Sequence, residues 1–164
     1  MRSLVLYVFH FTNTLKCTDA QIEHLTNVLS FQQLIGREVV AALDLKTNLV
    51  GRGGSQWLAD CFSKSKLLTK LDLSENNIGD AGCESLAQGL LHPQGCLVHL
   101  DLGGNKISVA GVASIASRLP EAAHLTNLGL SFNSLCHSGL RPLAEVWLCL
   151  KATTTSMVLA LQND

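Results

Sequence analysis

Aliphatic residues recur along this chain in two patterns that follow one another. The first is a pair of leucines separated by one residue, which places both leucines on the same side of a β-strand. The second has small or apolar residues at every fourth position, as at Gly82, Leu86 and Leu90, which places them on one face of a helix. The pattern therefore predicts a unit made of a strand, a turn and a helix.

This unit occurs four times, beginning at Val39, Leu67, Cys96 and His124. Each copy carries an asparagine three residues after its leucine pair, and the steps between these asparagines are 28, 29 and 28 residues: Asn48, Asn76, Asn105 and Asn133. A glycine follows at the same place in each copy: Gly54, Gly82, Gly111 and Gly139. Because one such unit cannot bury its own apolar face, the units are expected to stack with right-handed crossovers, with parallel strands on one side and helices on the other.

The spacing LxxLxLxxNxLxxxGxxxLxxxL resembles the leucine-rich repeat of the ribonuclease-inhibitor type, which also occurs in NOD-like receptors and in the Ran GTPase-activating protein. The segment LTKLDLSENNIGDAGCESLAQGL, from Leu68 to Leu90, is the most similar. The resemblance implies an α/β fold, a right-handed solenoid shaped as a horseshoe arc, with the parallel sheet on the concave side and the helices on the convex side. It also implies that the four asparagines form a ladder inside the solenoid.

A single domain is predicted over residues 1–164. Residues 1–38 are interpreted as a degenerate N-terminal unit, because DAQIEHLTNVL from Asp19 parallels DAGCESLAQGL from Asp80. Whether this unit is a cap or a damaged repeat, and whether Asn13 is its asparagine, stays open. Residues 39–151 hold the four regular units, and residues 152–164 are interpreted as the start of a truncated one.

The predicted last strand, around Met157 to Leu161, is an apolar parallel edge. Uncovered edges invite pairing with another chain. We therefore expect either that the chain is a fragment, an isoform or a segment of a larger receptor whose array continues here, or that it self-associates through this edge.

Composition narrows the function classes. Lys and Arg number 12 against 13 Asp and Glu, for a net charge of -1, which disfavours nucleic-acid binding. No apolar run approaches the roughly 20 residues of a membrane span. The 6 cysteines include no CxxC pair and are interpreted as reduced thiols. A cytoplasmic location is expected, with the nucleus as the alternative and secretion disfavoured.

Catalytic motifs are sparse, and we predict no enzyme activity, no cofactor and no metal. Neither a G-x-S-x-G elbow nor an H-E-x-x-H pair occurs. The glycines from Gly51 to Gly54 resemble a phosphate loop, but Gly54 is the glycine that every unit repeats. The best metal candidate is His92, Cys96 and His99, which we interpret as ordinary loop and strand residues.

Partners of this family dock on the concave face, where residues between and just after the leucines are expected to lie. The candidate partner-binding residues are Asp44, Lys46, Lys70, Asp72, Ser74, Glu75, His99, Asp101, Asn127, Ser131 and Phe132. The aspartates form a column of like charges at a strand spacing of ~4.8 Å. They are either solvated consensus residues or a mildly acidic strip that attracts a basic partner. Phe132, beside Gly103, Gly104 and Gly129, is predicted to be an exposed aromatic anchor.

These observations favour a non-catalytic protein–protein interaction module that binds another protein, whose identity the sequence does not give. Two alternatives come from the same resemblance. A GTPase-activating protein of the Ran-directed type is disfavoured by short inter-repeat loops and the lack of an acidic tail. An enzyme inhibitor of the ribonuclease-inhibitor type is disfavoured by the short arc and the single tyrosine.

Overall fold

A computed structural model describes residues 7–11, 16–34, 40–90, 95–122, 124–135, 144 and 158–160. Asn13, His92, Gly139 and most of the fourth predicted helix lie outside these residues. The elements are β1 Tyr7–His10, α1 Asp19–Leu34, β2 Val40–Asp44, α2 Arg52–Lys64, β3 Lys70–Asp72, α3 Gly79–Leu90, β4 His99–Asp101, α4 Val109–Ala116, β5 Asn127–Gly129 and β6 Val158–Ala160.

The strands form one parallel sheet in the order β1-β2-β3-β4-β5-β6, so each strand pairs with its neighbours in sequence. The register follows the repeat, since Leu43, Leu71, Leu100 and Leu128 are paired across β2 to β5. Helices α1 to α4 pack side by side, and their buried residues form one core with the leucines of the sheet. The predicted leucine-rich-repeat solenoid is confirmed.

The leucine pairs form a continuous core between sheet and helices. The second leucine of each pair is fully buried, at Leu45, Leu73, Leu102 and Leu130. The aliphatic position after each asparagine is also buried, at Val50, Ile78, Ile107 and Leu135. Full burial of one such side chain contributes roughly 1.5–3 kcal/mol, so these repeated positions supply a large part of the apolar driving force.

The repeated glycine sits where one helix meets the preceding unit. A Cβ on Gly82 would lie 2.8 Å from the Ser55 hydroxyl oxygen in α2, and one on Gly111 would lie 3.0 Å from the Cα of Asp80 in α3. Close approach of neighbouring helices therefore requires glycine here. This packing role explains Gly54 without a phosphate ligand.

Helix α1 begins differently from the helices that follow it. Its Thr18 backbone N–H donates to Gln21 Oε1 at 2.7 Å, which is one half of a capping box within a single segment. By contrast, the Gly51 N–H at the start of α2 donates to Asp19 of α1 at 2.7 Å, and the Ser108 N–H at the start of α4 donates to Asp80 of α3 at 2.8 Å. The residue before α2 and the residue before α4 are thus each held by an aspartate of the unit before, whereas the residue before α1 is held by Gln21 of its own helix.

Candidate functional site

Side chains on the sheet surface away from the helices form two rows across the strands; we call this surface the open sheet face. The first row is Ala42, Lys70, His99, Asn127 and Val158. The second row is His10, Asp44, Asp72, Asp101, Gly129 and Ala160. Because side chains alternate along a strand, burial of the leucines on the helix side places these residues on the opposite side.

Each aspartate of the second row uses one carboxylate oxygen to hold the turn that follows its strand. Oδ1 of Asp44 accepts the Lys46 N–H at 3.1 Å, and Oδ1 of Asp72 accepts the Ser74 N–H at 2.9 Å. Oδ1 of Asp101 accepts the Gly103 N–H in the same way, also at 2.9 Å. The repeated aspartate is therefore an acceptor for the backbone two residues ahead, as in an Asx turn.

The second carboxylate oxygens of this row differ in their surroundings. Oδ2 of Asp44 lies 3.0 Å from Nδ1 of His10 on the neighbouring strand. Within the described residues, Oδ2 of Asp72 and Oδ2 of Asp101 accept no hydrogen bond. The row therefore has two carboxylate oxygens, one on β3 and one on β4, that can accept a hydrogen bond from a partner.

Ser74 stands apart from the other candidate residues because its side chain is buried. Its hydroxyl donates to Oδ1 of Asp72 at 2.7 Å. The structure thus gives Ser74 a local role, orienting Asp72, in place of direct exposure to a partner.

Lys46 and Glu75 form an ion pair along the rim of the open sheet face, with Lys46 Nζ 3.1 Å from Glu75 Oε1. Thr47 Oγ1 donates to Glu75 Oε2 at 3.0 Å. The hydrogen bond with Glu75 raises the pKa of Lys46, as do the charges of Glu75, Asp72 and Asp101. The hydrogen bond from Lys46 in turn lowers the pKa of Glu75. Both side chains are about half exposed, so solvent screens the pair.

A shallow concavity of about 240 Å³ lies on the open sheet face across β3 to β6. Its lining combines the two rows: Lys70, Asp72, His99, Asp101, Asn127, Gly129, Val158 and Ala160, with the leucines beneath. The residues that line it are charged at the β3 end and small or apolar at the β6 end.

Phe132 follows β5 at the rim and is 55% exposed. Its φ is 56°, and the equivalent residues Thr47, Glu75 and Gly104 also have positive φ, at 59°, 57° and 66°. The left-handed conformation therefore belongs to the turn of the repeat. At this position glycine would be the least strained residue.

The four asparagines join neighbouring units through one arrangement. Each amide nitrogen donates to a backbone carbonyl of the preceding unit: Asn48 to Phe11, Asn76 to Leu45, Asn105 to Leu73 and Asn133 to Leu102, at 2.7–2.9 Å. Each amide oxygen accepts a backbone N–H from the preceding unit, as with Val50 to Asn76 at 2.9 Å. Asn48, Asn76 and Asn105 are buried, and Asn133 is half-buried.

Reactive groups are scarce in the described part of the chain. Burial raises the pKa of the Cys83 thiol to about 12, so this cysteine stays protonated near neutral pH. Within the described residues, His, Cys, Asp and Glu form no group of three that could hold a metal ion. His99 lies on the open sheet face and Cys96 contacts the carbonyls of Ser65 and Leu68. No helix in the described residues is both long and apolar enough to cross a membrane.

The alternation of residues along each strand predicted the two rows, but it did not predict which residues within them form hydrogen bonds with one another. The sequence contained a signal for the acceptor role of Asp44, Asp72 and Asp101, because an aspartate before a turn often accepts a hydrogen bond from the backbone two residues ahead. The His10–Asp44 contact depends on how β1 pairs with β2, where the register shifts between Tyr7 and Val8. No sequence motif predicts this shift.

Comparison with known proteins agrees with this architecture. The family model described as Leucine Rich repeat matches residues 64–87 and 96–116. The chain is 37% identical over 101 residues to mouse NACHT, LRR and PYD domains-containing protein 12, covering 62% of this chain and 10% of that protein. It is 29% identical over 131 residues to human NACHT, LRR and PYD domains-containing protein 5, covering 80% of this chain and 11% of that protein.

The chain thus spans about a tenth of the length of the curated relatives it matches. Among solved structures, it is similar to Leiomodin-1 Actin-Binding Site 2, with a TM-score of 0.65 and 18% identity. That match covers 88% of this chain and 78% of the other, and it supports the fold alone.

Proposed function

We propose, from the premise that this chain is a leucine-rich-repeat protein with repeats of the NOD-like-receptor type, that it binds another protein through its open sheet face, the concave side of the solenoid. The single observation that carries this proposal is the asymmetry of the sheet. One side is buried under α1 to α4, while the other exposes two rows of mostly polar side chains that no described element covers.

Within this face, the proposed partner contacts are the candidate residues predicted from the sequence other than Ser74, which acts through Asp72. Lys46, Lys70, Glu75, Asp101 and Phe132 are exposed, and most of the others are half-buried. Of the two interpretations of the aspartate column, we favour the acidic strip. Each aspartate uses only one carboxylate oxygen to accept the backbone N–H of its turn, and its charge stays at the surface. Its partner would present basic side chains.

The proposed activity is binding without catalysis. The relatives found are proteins with leucine-rich repeats, and nothing in them supports the GTPase-activating or the enzyme-inhibitor alternative. A cytoplasmic location, a single domain over residues 1–164, and no binding of nucleic acid or membranes are part of the same proposal.

The edge strand β6 supports a second contact. Val158 is 59% exposed, and within the described residues β6 pairs only with β5. Because an edge strand presents unpaired backbone groups, a second copy of the chain would pair with it. Analytical ultracentrifugation of the chain across concentrations tests this; a monomer at all concentrations would contradict self-association.

The experiment for the main proposal is comparative affinity purification. The bait carries Asp72→Lys with Asp101→Lys, and the matched control carries Glu84→Lys, an exposed charge reversal on α3 away from the face. We expect proteins retained by the wild type and by Glu84→Lys to be lost from the double variant. Because lysine cannot accept the backbone hydrogen bonds of the turns, Asp72→Asn with Asp101→Asn serves as a second bait that keeps them. Identical retention by all baits would refute binding through this face.

A further inference from the structure

We draw no further inference here: the strongest candidate, the apolar surface patch that Val28 and Phe31 form on the outer side of α1, is exposed, but nothing among the described residues shows what covers it.

Discussion

The amide nitrogen of Asn76 lies 2.9 Å from the carbonyl oxygen of Leu45 in the preceding repeat and 3.0 Å from that of Leu73 in its own. One buried side chain thereby joins two repeats. Its amide oxygen completes the link by accepting the Val50 N–H. Since these backbone groups lie where no water reaches them, the asparagine satisfies donors and acceptors that the turn leaves unpaired.

Asn76→Ala should therefore destabilise the fold strongly. Several buried backbone groups would lose their partner, each at roughly 1–3 kcal/mol, so we expect the free energy of unfolding to fall by at least about 3 kcal/mol. Urea denaturation followed by circular dichroism measures this change. Asn77→Ala is the control, because the adjacent Asn77 is exposed and should cost under about 1 kcal/mol. Similar losses in the two variants would show that the buried links contribute little.

Asp80 should make the stability of the chain depend on acid pH. Burial raises its pKa, but hydrogen bonds from the Ser108 hydroxyl and the Ser108 and Gly111 backbone outweigh this effect and lower the pKa below its usual value of 3.8. A carboxylate with a lowered pKa stabilises the fold at pH values above its unfolded pKa. That contribution is lost as pH falls through about 4 and then through the lower folded pKa.

The measurement compares wild type with Asp80→Asn by thermal unfolding between pH 7 and pH 3. The wild type should be the more stable at pH 7, and the difference between the two proteins should shrink toward pH 3. Parallel curves over this range would mean that Asp80 contributes no acid-linked stability.

Much of this fold was predictable because the sequence pattern that specifies a strand, a turn and a helix is repeated in each unit. The leucine pairs at Leu71/Leu73 and Leu100/Leu102 alternate with period 2, and the same pattern in neighbouring units fixes which strands pair. The irregular first unit was harder, since its strand lacks the leucine pair. The positions of the surface residues followed from the register, but their hydrogen bonds did not.

The bonds were unpredictable for physical reasons that individual residues illustrate. The Lys46–Glu75 ion pair joins two long side chains from different units, whose rotamers depend on the turn between them. The positive φ of Phe132 contradicts local preference, because a bulky residue rarely adopts it, and only the fixed geometry of the repeat imposes it.

Gly89→Ala should destabilise the protein, although replacing glycine with alanine usually stabilises a helix. Alanine normally stabilises the interior of a helix by roughly 0.5–1 kcal/mol over glycine. Here a Cβ would lie 2.8 Å from the Ala59 carbonyl oxygen and 2.7 Å from the Phe62 ring in α2. Because a backbone carbonyl cannot move aside easily, we expect a loss of about 1–3 kcal/mol in denaturation experiments. Gln88→Ala, at an exposed neighbour, should be close to neutral, and a stabilised Gly89→Ala protein would contradict the packing of α2 on α3.

The outer side of α1 should tolerate polar residues that the later helices do not. Val28 is 57% exposed, whereas Cys61, its equivalent in α2, is 2% exposed. Val28→Asn is therefore expected to change the unfolding free energy by less than about 0.5 kcal/mol, while Cys61→Asn should cost 2 kcal/mol or more, as order-of-magnitude values. Calorimetric unfolding of the two variants provides the comparison. A large cost at Val28 would indicate that this side of α1 is covered.

Substitutions at Phe132 should change partner binding without lowering the stability of the fold. Replacing it with glycine relieves a left-handed conformation that costs non-glycine residues roughly 1–2 kcal/mol, while the added freedom of the unfolded glycine costs about 0.5–1 kcal/mol. Since the ring is largely exposed, little packing is lost, and the free energy of unfolding should not fall. Partner retention in affinity purification should nevertheless drop in Phe132→Gly and in Phe132→Asn, because both remove the aromatic surface, and should persist in Phe132→Tyr. Loss of retention together with a lowered melting temperature in Phe132→Gly would instead assign the ring to the stability of the turn.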